Sequence, residues 1–168
     1  MNDFRTIVLG IGNPLLQDDR AGLEVARRVF ELGLSVDTQE LYTVGFEVMD
    51  RLMSYDRAFI VDACRLGNKP GTVMEVRIED IFSSKSLASS HAITLGATLK
   101  TAYQLFPDEM PGELRIFLIE VERIDEFTDI MSPCVDQAVQ ETVDIIASAI
   151  SSKGCKSGRN MSCCRHIL

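Results

Sequence analysis

The stretch VLGIGNPLLQDDRAGLEVARRV, residues 8–29, predicts the first unit of the fold. An apolar, β-branched run over 5–11 predicts a strand, and two glycines and a proline then lead to the adjacent acids Asp18 and Asp19. Apolar residues next recur every three to four positions, as on one face of a helix, at Ala21, Val25, Val29 and Leu32. The stretch therefore predicts a strand, an acidic loop and a helix.

Strand-like and helix-like patterns continue to alternate beyond this unit. Further strands are predicted at 35–42, 57–63, 72–78 and 113–121. Further helices are predicted at 45–54, from Ser89 or Ser90 onward, and at 132–150 with Ser132 as N-cap and Pro133 in the first turn. The alternation predicts an α/β fold: a single three-layer domain over 1–152, with helices on both faces of a mostly parallel twisted sheet of about five strands. The segment 72–78 alternates apolar and polar residues and is expected to be its antiparallel edge strand.

Residues 153–168 are polar and show no hydrophobic period, and we expect a flexible tail. Three of the five cysteines, Cys155, Cys163 and Cys164, lie there, and with His166 they match no metal-ligand spacing. Cys64 and Cys134 are far apart in the sequence. An odd number of cysteines in this arrangement indicates reduced thiols.

Charge and length limit the classes of function. The chain has 168 residues and a net charge of −8, which argues against nucleic acid or an anionic membrane surface as the main partner. The sequence shows neither a membrane-length apolar run nor a signal peptide, so we expect a cytoplasmic protein. We expect a monomer, although nothing in the sequence determines the oligomeric state.

Three polar residues fall where the fold would bring them to one edge of the sheet. Asp19 follows the first strand, Asp62 ends the third, and His91 begins the helix after the edge strand. Ligands of open α/β sheets bind beyond the carboxyl ends of the strands. Two carboxylates and an imidazole suit a divalent metal ion and leave coordination positions open. The sequence thus predicts Asp19, Asp62 and His91 as catalytic metal ligands.

Each residue also has a structural interpretation. Asp18 or Asp19 is a preferred N-cap, Asp62 could bind loop amides, and a single histidine is more often a surface or core residue. Gly10, Gly12 and Gly45 would let the backbone approach a substrate, or would serve tight turns that need positive φ.

Several motifs together resemble the nickel-iron hydrogenase maturation endopeptidases. They are GIGNPLLQDDRAG (10–22), TVGFEVM (43–49), DRAFIVDA (56–63), SSHAITL (89–95) and IEVERIDEFTDIMSPCVDQAV (119–139). The resemblance covers most of 5–150 and implies a three-layer α/β domain. It also implies that the metal-binding acid, aspartate and histidine of the family match Asp19, Asp62 and His91.

The resemblance further implies the reaction and the partner. Such enzymes remove a short C-terminal extension from the hydrogenase large-subunit precursor after nickel insertion. Two features depart from the family pattern. Aspartate replaces the frequent glutamate at Asp19, which shortens the ligand by one methylene, and Val121 replaces the proline that usually follows the glutamate of the last strand.

The chain has no nucleophile elbow and no helical HExxH, and its one histidine outside the tail cannot be both ligand and triad base. We therefore expect metal-assisted hydrolysis at Asp19, Asp62 and His91, with Asp18 orienting a ligand. Nickel is expected to arrive with the substrate, although zinc or cadmium could occupy the site in vitro.

Two other functions stay open. GIGNPL suggests a dinucleotide loop, but Leu15 replaces the third glycine of that motif and the adjacent acids would repel a pyrophosphate. The stronger alternative is a non-proteolytic chaperone module that holds the metal centre of a metalloenzyme partner.

Overall fold

The computed structural model describes residues 4–83, 90–122, 124 and 126–152, with the backbone alone for 82, 83 and 90–92. The strands are β1 (Thr6–Ile11), β2 (Asp37–Leu41), β3 (Arg57–Cys64), β4 (Val73–Val76) and β5 (Glu113–Glu120). The helices are α1 (Ala21–Glu31), α2 (Phe46–Leu52), α3 (Ile78–Ser83), α4 (Ser90–Leu105) and α5 (Pro133–Ser151). A 3-10 turn at Asp18–Arg20 precedes α1.

The five strands form one sheet in the order β2-β1-β3-β5-β4. Parallel pairs join β1 to β2, β1 to β3 and β3 to β5, whereas β4 runs antiparallel to β5 at the edge. The predicted fold class and the antiparallel edge strand are therefore confirmed. Since four strands are parallel, their carboxyl ends lie at one edge of the sheet.

The edge strand is shorter than its alternating pattern predicted, because a short helix begins inside the predicted range. The Asp80 carboxylate accepts a hydrogen bond from the Arg77 backbone N–H at 3.2 Å and another from the Arg77 guanidinium at 3.1 Å. A local acceptor of this kind favours a turn over a strand ladder. The strand therefore ends at Val76, and Ile78 belongs to α3, which was not predicted.

Each face of the sheet is covered by helices, which gives the predicted three layers. Alternate strand residues point to opposite faces. On one face Val8, Phe59 and Phe117 pack in a core with apolar residues of α1 and α5. On the other face the core includes Leu9 and Ile60 together with residues of α2 and α4.

A close approach of two backbones fixes α1 against the sheet. A Cβ added to Gly22 would lie 2.3 Å from the Ile11 carbonyl oxygen and 2.4 Å from that of Val61. A Cβ on Gly10 would lie 2.2 Å from the Gly22 carbonyl oxygen. These glycines therefore let α1 lie directly on β1 and β3, and the 3-10 turn before α1 contacts β3.

Two sequence predictions concern the ends of the chain and its thiols. The tail at 153–168 lies outside the described residues, so its flexibility and the boundary at 152 stay predictions. Cys64 and Cys134 are both free thiols, as predicted for reduced cysteines. Within the described ranges, none of the helices is long and apolar enough to cross a membrane.

Candidate active site

The loop after β1 holds Asp19 by its backbone. The Asn13 N–H donates to the Asp19 carbonyl oxygen at 3.2 Å, and a Cβ on Gly12 would lie only 2.1 Å from that oxygen. Gly12 is therefore required by the close passage of the Asp19 carbonyl. Neither Gly10 nor Gly12 has a positive φ, so the positive-φ interpretation is wrong for both.

Gly45, the third glycine named in the sequence analysis, has a different environment from Gly10 and Gly12. It is the N-cap of α2 with φ −174°, an extended conformation open to any residue. A Cβ at this position would meet nothing within 4 Å. The positive-φ interpretation is wrong here too.

Asp62 lies near the end of β3 and is only 1% exposed. Neither of its carboxylate oxygens has a hydrogen-bond partner among the described residues. Burial, with a further contribution from the negative charge of Asp19, raises the pKa of Asp62 to about 8. The nearby Ala63 N–H, which does not reach hydrogen-bond geometry, partly opposes this rise. The structure thus brings Asp19 and Asp62 together around a buried, unpartnered carboxyl group.

The interpretation of Asp62 as a residue that binds loop amides is not what the structure shows. Glu120, at the end of β5 and 2% exposed, makes such contacts instead. Its Oε1 accepts hydrogen bonds from the N–H groups of Leu66 at 2.8 Å and Gly67 at 2.9 Å, which fixes the loop after β3. Glu120 was not among the predicted site residues. Its sequence signals were an acid near the end of a predicted strand and its match to the last-strand glutamate of the family pattern.

Cys64 lies two residues beyond Asp62, and its Sγ is 3.6 Å from Glu120 Oε2. Burial and the negative charge of Glu120 raise the pKa of the Cys64 thiol well above its usual range. A thiol in this environment stays protonated and is a poor nucleophile.

Asp18 is fully buried and faces α5. Its Oδ1 accepts from the Ser132 N–H at 2.8 Å, and its Oδ2 accepts from the Ser132 hydroxyl at 2.9 Å. The N-cap of α1 is Arg20, which makes no side-chain cap bond, so the capping interpretation of Asp18 and Asp19 is wrong. Asp18 instead fastens the β1–α1 loop to the start of α5, a role that differs from the predicted orientation of a metal ligand.

Ser132 is the N-cap of α5 and Pro133 lies in its first turn, as predicted. The Ser132 hydroxyl makes no cap hydrogen bond within the helix, because it donates to the Asp18 carboxylate. The same serine thus both begins α5 and links it to the β1–α1 loop.

Further contacts hold the loop after β5 against the loop after β1. The Gln17 N–H donates to the Glu126 carbonyl oxygen at 3.1 Å, and Arg20 Nη1 donates to the Asp129 carbonyl oxygen at 2.8 Å. Leu16 and Phe127 form an isolated antiparallel bridge. We call these paired loops, residues 13–20 and 126–132, the loop pair; Asp19 lies within it.

His91 lies in the first turn of α4. Because α4 leads into β5, which starts at the amino edge of the sheet, the first turn of α4 lies toward the carboxyl edge, as does Asp62. The side chain of His91 lies outside the described residues, so its role as third ligand stays a prediction. Among the side chains that the structure does describe, no group of three histidine, cysteine or acidic residues is arranged to hold a metal ion.

The donor chemistry at this edge nevertheless suits a cation. Buried carboxylate oxygens without partners are costly unless a cation or proton neutralises them. Asp62 provides two such oxygens, and Asp19 adds a second negative charge to the same place. The carboxyl groups of Asp62 and Asp19 fit two ligand positions of a divalent ion.

Known proteins of similar sequence are described as hydrogenase maturation proteases or as hydrogenase expression/formation proteins. The family model described as hydrogenase maturation protease matches residues 27–149, which include Asp62 and His91. The hydrogenase 2 maturation protease of Escherichia coli K12 is 26% identical over 158 residues, covering 90% of this chain and 93% of that protein. The hydrogenase expression/formation protein HupD of Thiocapsa roseopersicina is 23% identical and covers 91% of this chain and 71% of its own length.

Solved structures agree with these sequence matches. The hydrogenase maturating endopeptidase HybD from E. coli superposes with a TM-score of 0.73 at 25% identity, covering 89% of this chain and 94% of that one. The [NiFe] hydrogenase maturation protease HybD from Thermococcus kodakarensis gives a TM-score of 0.70 at 28% identity, covering 87% of this chain and 99% of that one. The family match spans most of the chain, and this chain belongs to the hydrogenase maturation protease family.

Proposed function

We propose that this protein is an endopeptidase that removes the C-terminal extension from a nickel-iron hydrogenase large-subunit precursor after nickel has been inserted. The family match supports proteolysis in hydrogenase maturation. The observation that carries the proposal is the unpartnered, buried carboxyl group of Asp62 beside Asp19 at the carboxyl edge of the sheet. That edge is where open α/β sheets place their ligands.

The residues have separate tasks in this proposal. Asp62 and Asp19 supply carboxylate ligands, and His91 supplies the third ligand from the start of α4. Gly12 and Asn13 hold the Asp19 backbone, while Glu120 holds the loop that follows Asp62. When bound, the metal ion polarises the scissile carbonyl or lowers the pKa of a coordinated water.

We further propose that the metal ion belongs to the substrate. Three protein ligands of mixed oxygen and nitrogen type form an open site, which leaves positions for groups of the precursor. A nickel ion already held by the precursor would complete its coordination on Asp19, Asp62 and His91, and the scissile bond would then lie beside the two carboxylates. Nickel insertion would thereby control when the extension is removed.

The test compares four reactions of protease and precursor by intact mass. Metal-free protease is expected to shorten the nickel-loaded precursor and to leave the nickel-free precursor intact. Rapid cleavage of the nickel-free precursor by protease preloaded with zinc would instead identify a resident metal. If the nickel-loaded precursor keeps its full mass even with the zinc-preloaded protease, the protein is not a protease and the chaperone alternative is favoured.

Single substitutions test the ligand set in the same assay. Asp19→Ala, Asp62→Ala and His91→Ala are each expected to reduce processing by at least about a hundredfold while leaving the fold intact. Asp108→Ala, at an exposed position after α4, is the matched control and should process normally. Unfolding of the Asp62→Ala or His91→Ala variant would show that the residue is structural.

A further inference from the structure

Large apolar side chains are exposed unevenly over the described part of the protein. Ten such side chains face solvent, and six of them lie at the carboxyl edge of the sheet, where Asp19 and Asp62 lie. We call these six the apolar rim: Leu15, Tyr42, Phe46, Ile93, Phe127 and Ile130. The other four, among them Phe30, lie toward the amino edge.

The rim residues come from four of the segments that reach this edge. Leu15 lies in the β1–α1 loop, Tyr42 and Phe46 follow β2, and Ile93 lies in the first turn of α4. Phe127 and Ile130 follow β5 and are 83% and 72% exposed. Exposed apolar side chains on several segments beside the polar groups of a site mark a binding surface more often than a fault of folding.

The most exposed part of the rim is held in place by hydrogen bonds. Phe127 bridges to Leu16, and its neighbours on either side are fixed by the Gln17 to Glu126 and Arg20 to Asp129 contacts of the loop pair. The Ile130 N–H also donates to the Thr128 hydroxyl oxygen at 3.2 Å. The backbone is thus fixed around side chains that stay mostly exposed in the described part of the chain. Such pre-ordering reduces the entropy cost of binding a partner.

The charges around the rim indicate the chemistry of that partner. All 25 acidic residues lie before residue 153, whereas four of the 17 basic residues lie in 153–168. Glu122 and Asp129 are exposed acids on the β5–α5 loop, which also carries Phe127. A partner that fits this surface presents apolar side chains together with lysine or arginine.

We infer that the apolar rim is the docking surface for the C-terminal segment of the precursor next to the scissile bond. Apolar side chains of that segment seat on Leu15, Phe127 and Ile130, and its basic side chains face Glu122 and Asp129. This inference rests on the proposed function, because it takes the precursor as the occupant. It adds which residues select the substrate and which chemistry they select.

Binding and cleavage are measured separately, so that the two proposals can fail separately. The Kd of the nickel-loaded precursor is measured on Asp62→Asn, which keeps the rim but is not expected to cleave. Phe127 and Leu15 lie on two different loops. Introducing Phe127→Ser or Leu15→Ser into the Asp62→Asn variant is expected to raise this Kd about tenfold or more. Adding Phe30→Ser, equally apolar and 70% exposed but on α1 near the amino edge, should leave it unchanged.

Kinetics on the chain with Asp62 intact give the second readout. Phe127→Ser and Leu15→Ser are expected to raise KM while kcat changes less than about twofold, because docking precedes chemistry. A Kd that is unaffected by both rim substitutions would overturn the inference, even if the wild-type chain cleaves the precursor. The rim could instead form a dimer interface. In that case the wild-type chain would sediment as a dimer, Phe127→Ser would sediment as a monomer, and the Kd for the precursor would not change. That result would also overturn the inference. Tight, rim-dependent binding without cleavage by the wild type would refute the protease and retain the docking surface.

Discussion

At the scale of the residue, Asp62 combines a proposed ligand position with a cost in stability. Its carboxyl group is buried and without a hydrogen-bond partner in the described structure, and it lies near a second acid. Asp62→Asn removes the charge while keeping the shape. In metal-free protein we expect it to stabilise the fold by about 1–3 kcal/mol near pH 8 and to abolish processing. Thermal unfolding and the precursor assay, run on the same sample, measure the two effects.

The stabilisation expected for Asp62→Asn depends on pH, because the pKa of Asp62 differs between the folded and unfolded chains. The ordinary pKa of this carboxyl is 3.8, and in the folded protein it rises to about 8. Between these values the unfolded chain releases the proton and the folded chain keeps it, so the free energy of unfolding of the wild type falls as pH rises. The advantage of Asp62→Asn should therefore grow from pH 4 to pH 8 in the presence of a chelator. An equal advantage at both ends of this range would contradict the raised pKa.

Gly12 gives a second prediction at the residue scale. Gly12→Ala adds a Cβ that would lie 2.1 Å from the Asp19 carbonyl oxygen, so the backbone that carries Asp19 must move. We expect at least about a tenfold loss of processing and a destabilisation of about 1–3 kcal/mol. Gly45→Ala is the matched control, because its Cβ would meet nothing within 4 Å. Normal processing by Gly12→Ala would show that the position of Asp19 is unimportant.

At the scale of the element, the start of α5 is tied to the β1–α1 loop. Ser132→Ala removes the hydroxyl that donates to the buried Asp18 carboxylate, while the backbone N–H bond remains. We expect a destabilisation of about 1–2 kcal/mol, since a buried charged acceptor loses a donor. Thermal unfolding measures this change.

The control for that element lies at the other end of the same helix. The Ser152 hydroxyl donates to the Ala149 carbonyl oxygen at 3.0 Å at an exposed position, so Ser152→Ala should be close to neutral. Hydrogen exchange gives a local readout: Ser132→Ala should increase exchange of the Gln17 amide, which bonds across the loop pair. Equal effects of the two serine substitutions would show that the link to Asp18 adds no stability.

At the scale of the whole molecule, the two cores described by the structure are built from residues no later than Ile150. The helix α5 ends at Ser151, and its buried side chains extend no further than Ile146. A chain stopped at Lys153 should therefore keep its melting temperature and its processing activity. Loss of activity with an unchanged melting temperature would show that Cys155, Cys163, Cys164 or His166 takes part in function.

The sequence determined the sheet, the helices on both faces and the position of the acids. Apolar period and β-branched runs predicted all five strands, because a strand buried on both faces, such as β3, needs a continuous apolar run. The parallel direction of the strands predicted that Asp19 and Asp62 lie at one edge of the sheet. The sequence pattern did not predict α3, because the start of this helix depends on the contact between Arg77 and Asp80.

Only the tertiary structure decided what each polar side chain does. Asp18 and Ser132 both read as helix caps in the sequence, yet they bond to each other across 114 positions of the chain. Asp62 and Glu120 both end apolar strands, but one carboxylate stays unpartnered and the other binds two amides. Local pattern follows from propensity and burial within a few residues, whereas hydrogen-bond partners and desolvation depend on elements that only folding brings together.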